Sequence, residues 1–581
     1  MHRGAIRLSG LKFPVLFLCG ALLRPATGRG ADPGTDRVVE LPPLLVLGSR
    51  DSLVWHYGAA ADLEVLSLCS DATTKDFMEE FYQLRQVLRA LVPPELQVRF
   101  SVPLVHILCS DEMKDRLGQD VLTQLYRHSD PIAEPDDARP FPSRGGLAPP
   151  ARPVHALPNL RLQDTDTYTI FALLDDDMAH AEFALTPDYV NFLLQRRTPP
   201  LPPWFILGTM RLYELCHVGD RDIDVAPLAW VSSDAAKAAR KDPVAAAQGL
   251  LPLEDLLIAP RMVAAPPAEA EAYRRLWGAQ ATLFVRWCLD EKVGDRRAAF
   301  FAFVEQASHE PVTEPLFRQY FGLGFAEVRA QLGRYLPRAT GQSITLRPAQ
   351  PLESLALKMR KAAPVEVARI KGDWERMETA FVKPTYPELS GTYLAEAERT
   401  FHRAYDEGER DPRLLAAMGL WECAAGHDAA AEPLLTAAVQ AGVIRPRAYA
   451  ELARIRYLAA RAKPAGTQGR LDSTQTAYIL HPLLAGRQQL PPLPDAAELF
   501  AELWFHTEMT PLPGDLAALD HATLLFPRSV GLAYRTALID AREGQWPPAR
   551  RLITRGLQTA PTPAVRAEFA RLLGVLPADS P

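Results

Sequence analysis

Residues 187–214 read PDYVNFLLQRRTPPLPPWFILGTMRLYE, and this stretch decides how the first half of the chain is interpreted. Its first part predicts a buried helix in which Val190, Leu193 and Leu194 face the core. A proline-containing loop follows, and a second apolar segment begins at Pro203. The stretch therefore predicts two apolar helices joined by a loop.

The segments that precede this stretch predict an α/β fold. Leu63–Cys69, Val102–Cys109 and Tyr168–Leu174 are apolar runs of strand length. Thr73–Leu91 has the apolar spacing of an amphipathic helix. A proline-rich insertion at about 130–158 interrupts this alternation of strands and helices. At 581 residues the chain is long enough for roughly two to four globular units.

The layout of residues 187–214 resembles the gluzincin peptidases, including the peptidase MA group and the bacterial domain-of-unknown-function family related to it. In that pattern His-Glu-x-x-His lies on one helix, and Pro-x-Trp-hydrophobic-x-Glu-Gly begins a second. Pro187–Asn191 stands in the place of the first motif and Pro203–Gly208 in the place of the second. The resemblance covers roughly Leu63–Leu336 and implies a zincin-like domain over residues 29–340.

The resemblance lacks the side chains that the chemistry needs. Two imidazoles one helical turn apart bind Zn²⁺, a Glu activates the metal-bound water, and a downstream Glu is the third ligand. Here Pro187 has no lone pair to offer, Asn191 is a weak neutral ligand, and Leu207 is a hydrocarbon. Asp188 keeps a carboxylate, but it is one methylene shorter than Glu. We therefore expect a degenerate site with no catalytic residue, no metal and no cofactor, and a protein that is not an enzyme.

A zinc peptidase with displaced ligands is the alternative. His180, Glu214 and His217 are the candidate ligands for it, since they flank the motif. No pair among them has the i, i+4 spacing that presents two ligands on one helical face. The ordinary interpretation makes Glu214 a surface carboxylate and His217 a partly exposed histidine at a helix end.

The chain after about residue 350 is alanine-rich and predicts an all-α array. Ala397 and Ala404 flank Phe401 in the same way that Ala431 and Ala438 flank Leu435, which gives a period of 34 residues. Gly419 precedes the second copy, and a more distant third copy contains Ala549, Ile553, Gly556 and Pro561. This pattern resembles the tetratricopeptide repeat (TPR), in which small residues let two antiparallel helices approach closely. The periodicity is lost between Pro464 and Pro494.

The TPR resemblance, placed over residues 350–581, implies a concave surface that binds a peptide or protein partner. Combined with the degenerate site, it predicts a binding or scaffolding protein. A purely structural component of the cell envelope is the remaining alternative, because fold does not fix function.

The first 28 residues have the layout of a cleaved secretory signal. Arg3, Arg7 and Lys12 precede the apolar run Phe13–Leu23, and small residues follow at 26–28. The run is short for a membrane span, and no later stretch is long and apolar enough to be one. We expect an exported, soluble protein of the periplasm or cell envelope.

Charge and cysteine content narrow the classes further. The formal net charge is −6, and lysine and arginine are spread along the chain, so we expect no nucleic-acid partner. Five of the six cysteines lie outside the expected signal, scattered in apolar segments, and this favours buried thiols over a disulfide framework.

Overall fold

The computed structural model describes residues 54–110, 160–174, 187–231, 242, 247–258, 267–384, 387 and 390–577. The expected signal at 1–28, the proline-rich insertion at about 130–158 and His180 lie outside these ranges. The described residues all belong to one compact unit.

The strands form two sheets. In the described ranges they are β1 (His56–Ala60), β2 (Leu63–Ser67), β3 (Leu104–Ser110), β4 (Leu160–Gln163), β5 (Tyr168–Leu174), β6 (Cys216–Val218), β7 (Ile223–Val225), β8 (Ile344–Leu346) and β9 (Met359–Lys361). The larger sheet has the order β4-β5-β3-β2-β1-β9, and β6, β7 and β8 make the smaller one. In the larger sheet β2, β3 and β5 are parallel, whereas β4, β1 and β9 pair antiparallel to their neighbours. The three strands predicted from the sequence are confirmed.

Among the described residues, eight helices share one apolar core with a face of the larger sheet. They are α1 (Asp71–Leu88), α2 (Pro187–Gln195), α3 (Pro203–Tyr213), α4 (Leu253–Leu257), α5 (Pro267–Leu289), α6 (Arg297–His309), α7 (Glu314–Phe321) and α8 (Phe325–Ala339). Leu63 and Val65 of β2 point into the same apolar core as Phe77 and Phe81 of α1. The predicted helix at 73–91 and the two apolar helices of residues 187–214 are confirmed.

A glycine sets the distance between two of these helices. Helix α3 packs against α5, and a Cβ built on Gly208 would lie 2.8 Å from the carbonyl oxygen of Ala281. Because that obstacle is backbone, the helices would have to separate to admit any side chain.

We predict that Gly208→Ala lowers the free energy of unfolding by about 1–3 kcal/mol, since the added methyl overpacks a helix contact. Gly391→Ala is the matched control, because nothing lies within 4 Å of a Cβ built on this exposed helical glycine. Alanine there should be neutral or stabilise by up to about 1 kcal/mol. Urea unfolding followed by circular dichroism measures both variants, and equal stabilities for the two would contradict the packing argument.

The rest of the chain is helical. Its helices are α9 (Pro364–Val382), α10 (Ser390–Asp406), α11 (Pro412–Ala425), α12 (Asp428–Gln440), α13 (Pro446–Ala462), α14 (Ser473–Gly486), α15 (Pro494–His506), α16 (Pro513–Leu525), α17 (Val530–Arg542), α18 (Trp546–Thr559) and α19 (Pro563–Val575). They contact in consecutive pairs from α9 with α10 to α17 with α18, and α19 packs on α18. The first helices of successive pairs also contact each other, from α9 through α17. The expected all-α array is confirmed, and its helix pairs are compatible with tetratricopeptide repeats.

The small residues of the predicted repeat lie where helices of a pair meet. Phe401 of α10 and Leu435 of α12 are fully buried. A Cβ on Gly372 would lie 2.5 Å from the Phe401 ring, and a Cβ on Gly419 would lie 2.6 Å from Leu435. The alanines that flank Phe401 and Leu435 are buried as well.

The sheet extends past the domain boundary expected near residue 350. Strand β9 pairs with β1 at the sheet edge, and α9 covers the second face of the sheet. Ile370, Trp374 and Met377 of α9 share a core with Leu66 and Ile107 of the strands. The first helix of the array therefore also completes the α/β part. A mixed sheet with helices agrees with the expected α/β class, while the zincin-like fold stays a prediction.

Cysteines and helix lengths complete the description. Cys69, Cys109 and Cys288 are buried, as expected, and Cys216 and Cys423 are half-buried. Across the described ranges, no helix combines the length and apolarity needed to cross a bilayer.

Candidate functional site

The motif positions lie on the two helices that the sequence predicted. Pro187 and Asp188 are exposed in the first turn of α2, and Asn191 is half-buried one turn later. Leu207 is half-buried in α3, which contacts α2. The Asp188 side chain is 86 % exposed, with one carboxylate oxygen 3.8 Å from Nη1 of Arg161. In this position Asp188 is a solvated surface carboxylate.

Aromatic packing holds α2 in place. Tyr189 and Phe192 point inward, and the ring of Phe192 stacks on Phe100 at a centroid distance of 5.6 Å. Tyr168 lies 5.5 Å from the Tyr189 ring and 4.3 Å from the Phe192 ring. Burial raises the pKa of Tyr189, so this phenol stays neutral. The inward face of α2 is therefore apolar and aromatic.

The residues of the displaced-ligand alternative are on the surface. Glu214 follows the last residue of α3 and is exposed. His217 is exposed in strand β6, where it pairs with Asp224 across the ladder, so it is not the helix-end histidine that the sequence suggested. His180 lies outside the described residues. Within the described ranges, no three His, Cys, Asp or Glu side chains are close enough together to hold a metal ion.

A buried histidine lies beside these helices. His106 of β3 is fully buried, 4.4 Å from the Phe81 ring and 6.2 Å from the Phe77 ring between centroids. Neither ring nitrogen has a hydrogen-bond partner among the described atoms. Burial and the nearby charge of Arg85 lower the pKa of His106 from 6.5 to about 3, so the imidazole is neutral at physiological pH.

This histidine makes stability depend on pH. Because the pKa of His106 is lower in the folded state, protons bind preferentially to the unfolded chain. With respect to this group, the folded state is therefore most stable above pH 6.5 and loses stability as the pH falls toward 3. We predict that the free energy of unfolding falls by about 1.4 kcal/mol per pH unit from this one group. His106→Leu should remove that part of the slope between pH 6.5 and pH 5, measured by urea unfolding. An unchanged slope would show that His106 does not titrate in this way.

A buried ion network fastens the array to the sheet. Asp164 and Asp166 lie in the turn between β4 and β5. Nη2 of Arg376, on α9, is 2.6 Å from Asp164, and Arg447 of α13 pairs with the same carboxylate. Nε of Arg445 is 3.2 Å from Asp166. Burial opposes the ionisation of Asp164, but the charges of the three arginines outweigh it and hold the pKa of this carboxyl below its ordinary range.

A second buried carboxylate makes a parallel connection. Glu64 of β2 accepts two hydrogen bonds from Arg413 of α11, at 2.6 and 2.8 Å, and two from Arg369 of α9, at 2.9 and 3.5 Å. Burial opposes ionisation here too, but Arg413 and Arg369 together lower the pKa of Glu64 to about 2. The sheet is thus joined to three successive first helices of the array.

A large cavity lies where this joint ends. It has a volume of about 970 Å³, and we call it the cleft. One wall comes from the α/β part: Glu95, Gln97, Val98, Arg99, Arg197, Thr198, Pro199 and Glu305. The other comes from α13 to α16 and the segment 487–493, and it includes Tyr449, Ala450, Leu483, Pro491, Pro492, Phe500, Ala517, Ala518, Leu525 and Phe526. Apolar side chains dominate the lining.

Specific contacts hold the two walls together. The amide N–H of Ser101 donates to the carbonyl of Leu490 at 2.8 Å, and the N–H of Leu490 donates to the Ser101 hydroxyl at 2.8 Å. Within the α/β wall, buried Arg197 donates to the carbonyl of Pro199 at 2.7 Å and pairs with Glu305. The cleft is therefore preformed.

Sequence reasoning missed the cleft. Its array wall includes residues 482–493, which fall within the region where the repeat pattern is lost. That irregularity, with its prolines and apolar residues, was the one signal that could have indicated a special surface.

Comparison with known proteins gives little. No protein-family model matches the chain, and no curated protein matches it. A solved structure that it resembles is YrrB, described as a TPR protein with an unusual peptide-binding site. The identity is 12 %, the match covers 36 % of this chain and 98 % of that one, and the TM-score is 0.26. A likeness at this level supports no argument about fold or function.

Proposed function

We propose that this protein is an exported, non-enzymatic scaffold that holds an extended, apolar peptide segment of another protein in the cleft. The degenerate peptidase-like part supplies one wall, and the helical array supplies the other. The observation that carries the proposal is the preformed cleft of about 970 Å³ with a mainly apolar lining.

The dimensions of the cleft favour a peptide. Four consecutive helices, α13 to α16, contribute to one wall. Packed helices lie about 8–10 Å apart, so the wall extends over a distance on the order of 20 Å. An extended chain covers about 3.3 Å per residue, and several residues would fit along it.

The chemistry of the lining favours apolar side chains on that peptide. Tyr449, Phe500 and Phe526 offer aromatic surface, and burial of apolar area is the main source of binding free energy at such sites. The charged residues that line the cleft are of both signs, and they include Glu95, Arg99 and Arg487. These residues therefore neither strongly favour nor strongly exclude a peptide of either charge.

The non-enzymatic part of the proposal rests on the motif positions. Pro187 and Leu207 carry no donor atom, and Asp188 is solvated. A metal site needs several ligands held in place, and these side chains cannot supply them.

A charge placed inside the cleft tests the proposal. Ala517 is an exposed helical residue that lines the cleft, so Ala517→Arg should leave the fold intact while blocking the apolar surface. Peptides selected from a displayed random library on the intact protein should be rich in apolar residues. We predict that Ala517→Arg weakens their binding by at least about tenfold, as measured by fluorescence anisotropy.

Ala430→Arg is the control, because Ala430 is an exposed helical alanine outside the cleft. It should bind the selected peptides as the unaltered protein does. Equal affinities in all three proteins would place peptide binding elsewhere, and a library that yields no binder would contradict the proposed function.

A further inference from the structure

A second cavity lies at the C-terminal ends of α13 and α15, two of the helices that line the cleft, and beside α17. It has a volume of about 360 Å³ and is lined by Arg461, Gly469, Arg470, Phe505, His506, Leu538, Ile539 and Arg542. On α13 the cleft uses Tyr449 and Ala450, whereas this cavity uses Arg461 in the last turn. Eleven to twelve helical residues correspond to about 17 Å, so the two cavities are separate.

The cavity has an excess of positive charge. Three arginines line it, and Arg535 is close enough to affect His506. Three carboxylates lie near: Glu543, 2.9 Å from Arg542; Glu502, 3.9 Å from Arg535; and Glu508, which is bonded to the loop that carries Arg470. In the described part of the chain, Arg461 and Arg470 take part in no ion pair.

The pKa of the histidine in the cavity is affected by these positive charges. Burial lowers the pKa of His506, and the charges of Arg461, Arg535 and Arg470 lower it further, whereas Glu502 acts in the opposite direction. The Nδ1 atom of His506 is buried and has no hydrogen-bond partner among the described atoms. A bound anion would both offset the positive charge and offer an acceptor at this edge.

The arginines are held in position by the backbone around them. Arg461 donates from Nη1 to the carbonyl of Gly469 at 3.2 Å. The loop that carries Arg470 is closed by a hydrogen bond from the N–H of Gly466 to the carbonyl of Arg470 at 3.0 Å. The carboxylate of Glu508 accepts from the N–H of Thr467 at 3.0 Å and fixes the same loop.

We propose that this cavity is a binding site for a phosphate group. The three guanidinium groups have more N–H donors than a ligand with a single carboxylate could accept. A phosphate group carries up to two charges and three acceptor oxygens, so it matches these donors better. The lining also contains the apolar side chains of Phe505, Leu538 and Ile539, of which Ile539 is buried, and an apolar surface beside the arginines strengthens the attraction. The site is independent of the peptide proposed for the cleft.

The test is titration of the full chain with inorganic phosphate at low ionic strength. We expect saturable binding by calorimetry that weakens as sodium chloride is added. We also expect the pKa of His506 to rise on binding, followed by NMR on protein with ¹³C-labelled histidine and assigned with His506→Gln. A pKa of His506 that does not change at saturating phosphate would overturn the proposed location.

Two variants and a second anion complete the test. The double variant Arg461→Gln and Arg470→Gln should lose affinity by at least about tenfold, with circular dichroism verifying its fold. Arg566→Gln, which changes an exposed arginine of α19 outside the cavity, should bind phosphate normally. Absence of phosphate binding, equal binding of succinate, or an equal loss in the Arg566 variant would each contradict a phosphate site.

Discussion

The ion network between Asp164 and Asp373 and the arginines 376, 445 and 447 is the constraint on which the rest of the structure depends. Burying charges is costly, and the cost is offset only when each charge meets its partners in good geometry. The aspartates come from the turn after β4 and from α9, and two of the arginines come from the start of α13. Sheet and array must therefore be in register for either side to be stable, and this fixes the walls of the cleft.

The contact between the sheet and the array also determines which surfaces of the array are covered. Glu64 and the aspartates of the β4–β5 turn pair with arginines on α9, on α11 and at the start of α13. The sheet therefore covers a surface of these helices that an isolated helical array would leave open. The cleft lies at one end of α13 and α15, and the cationic cavity lies at the other. In this account the α/β part acts as one wall of the cleft and holds the array in place. The two proposed sites use different chemistry, apolar burial in one and guanidinium pairing in the other.

Local pattern was enough to predict much of the fold. The apolar strands, the amphipathic α1, the paired helices of residues 187–214 and the small residues packed around Phe401 and Leu435 all follow from periodicity within short windows. The ion network could not be predicted from the sequence, because Asp164 and Arg447 are 283 residues apart. Within its own segment, each has the pattern of an ordinary solvated polar residue. Strand β9 is three residues long and carries no apolar run, so its place in the sheet depends on pairing with β1. Both cavities are formed by residues distant in sequence.

Hydrogen exchange on Asp164→Asn tests the central claim, that the sheet and the array are one body joined by buried charge. The substitution leaves Arg376 and Arg447 without a full partner charge and should cost about 3–5 kcal/mol. The account predicts that amides in β3 and β5 and amides in α11 and α13 lose protection together, as measured by mass spectrometry on matched peptides. Loss of protection confined to the β4–β5 turn, with the array unaffected, would show that the two parts are independent and would contradict the account.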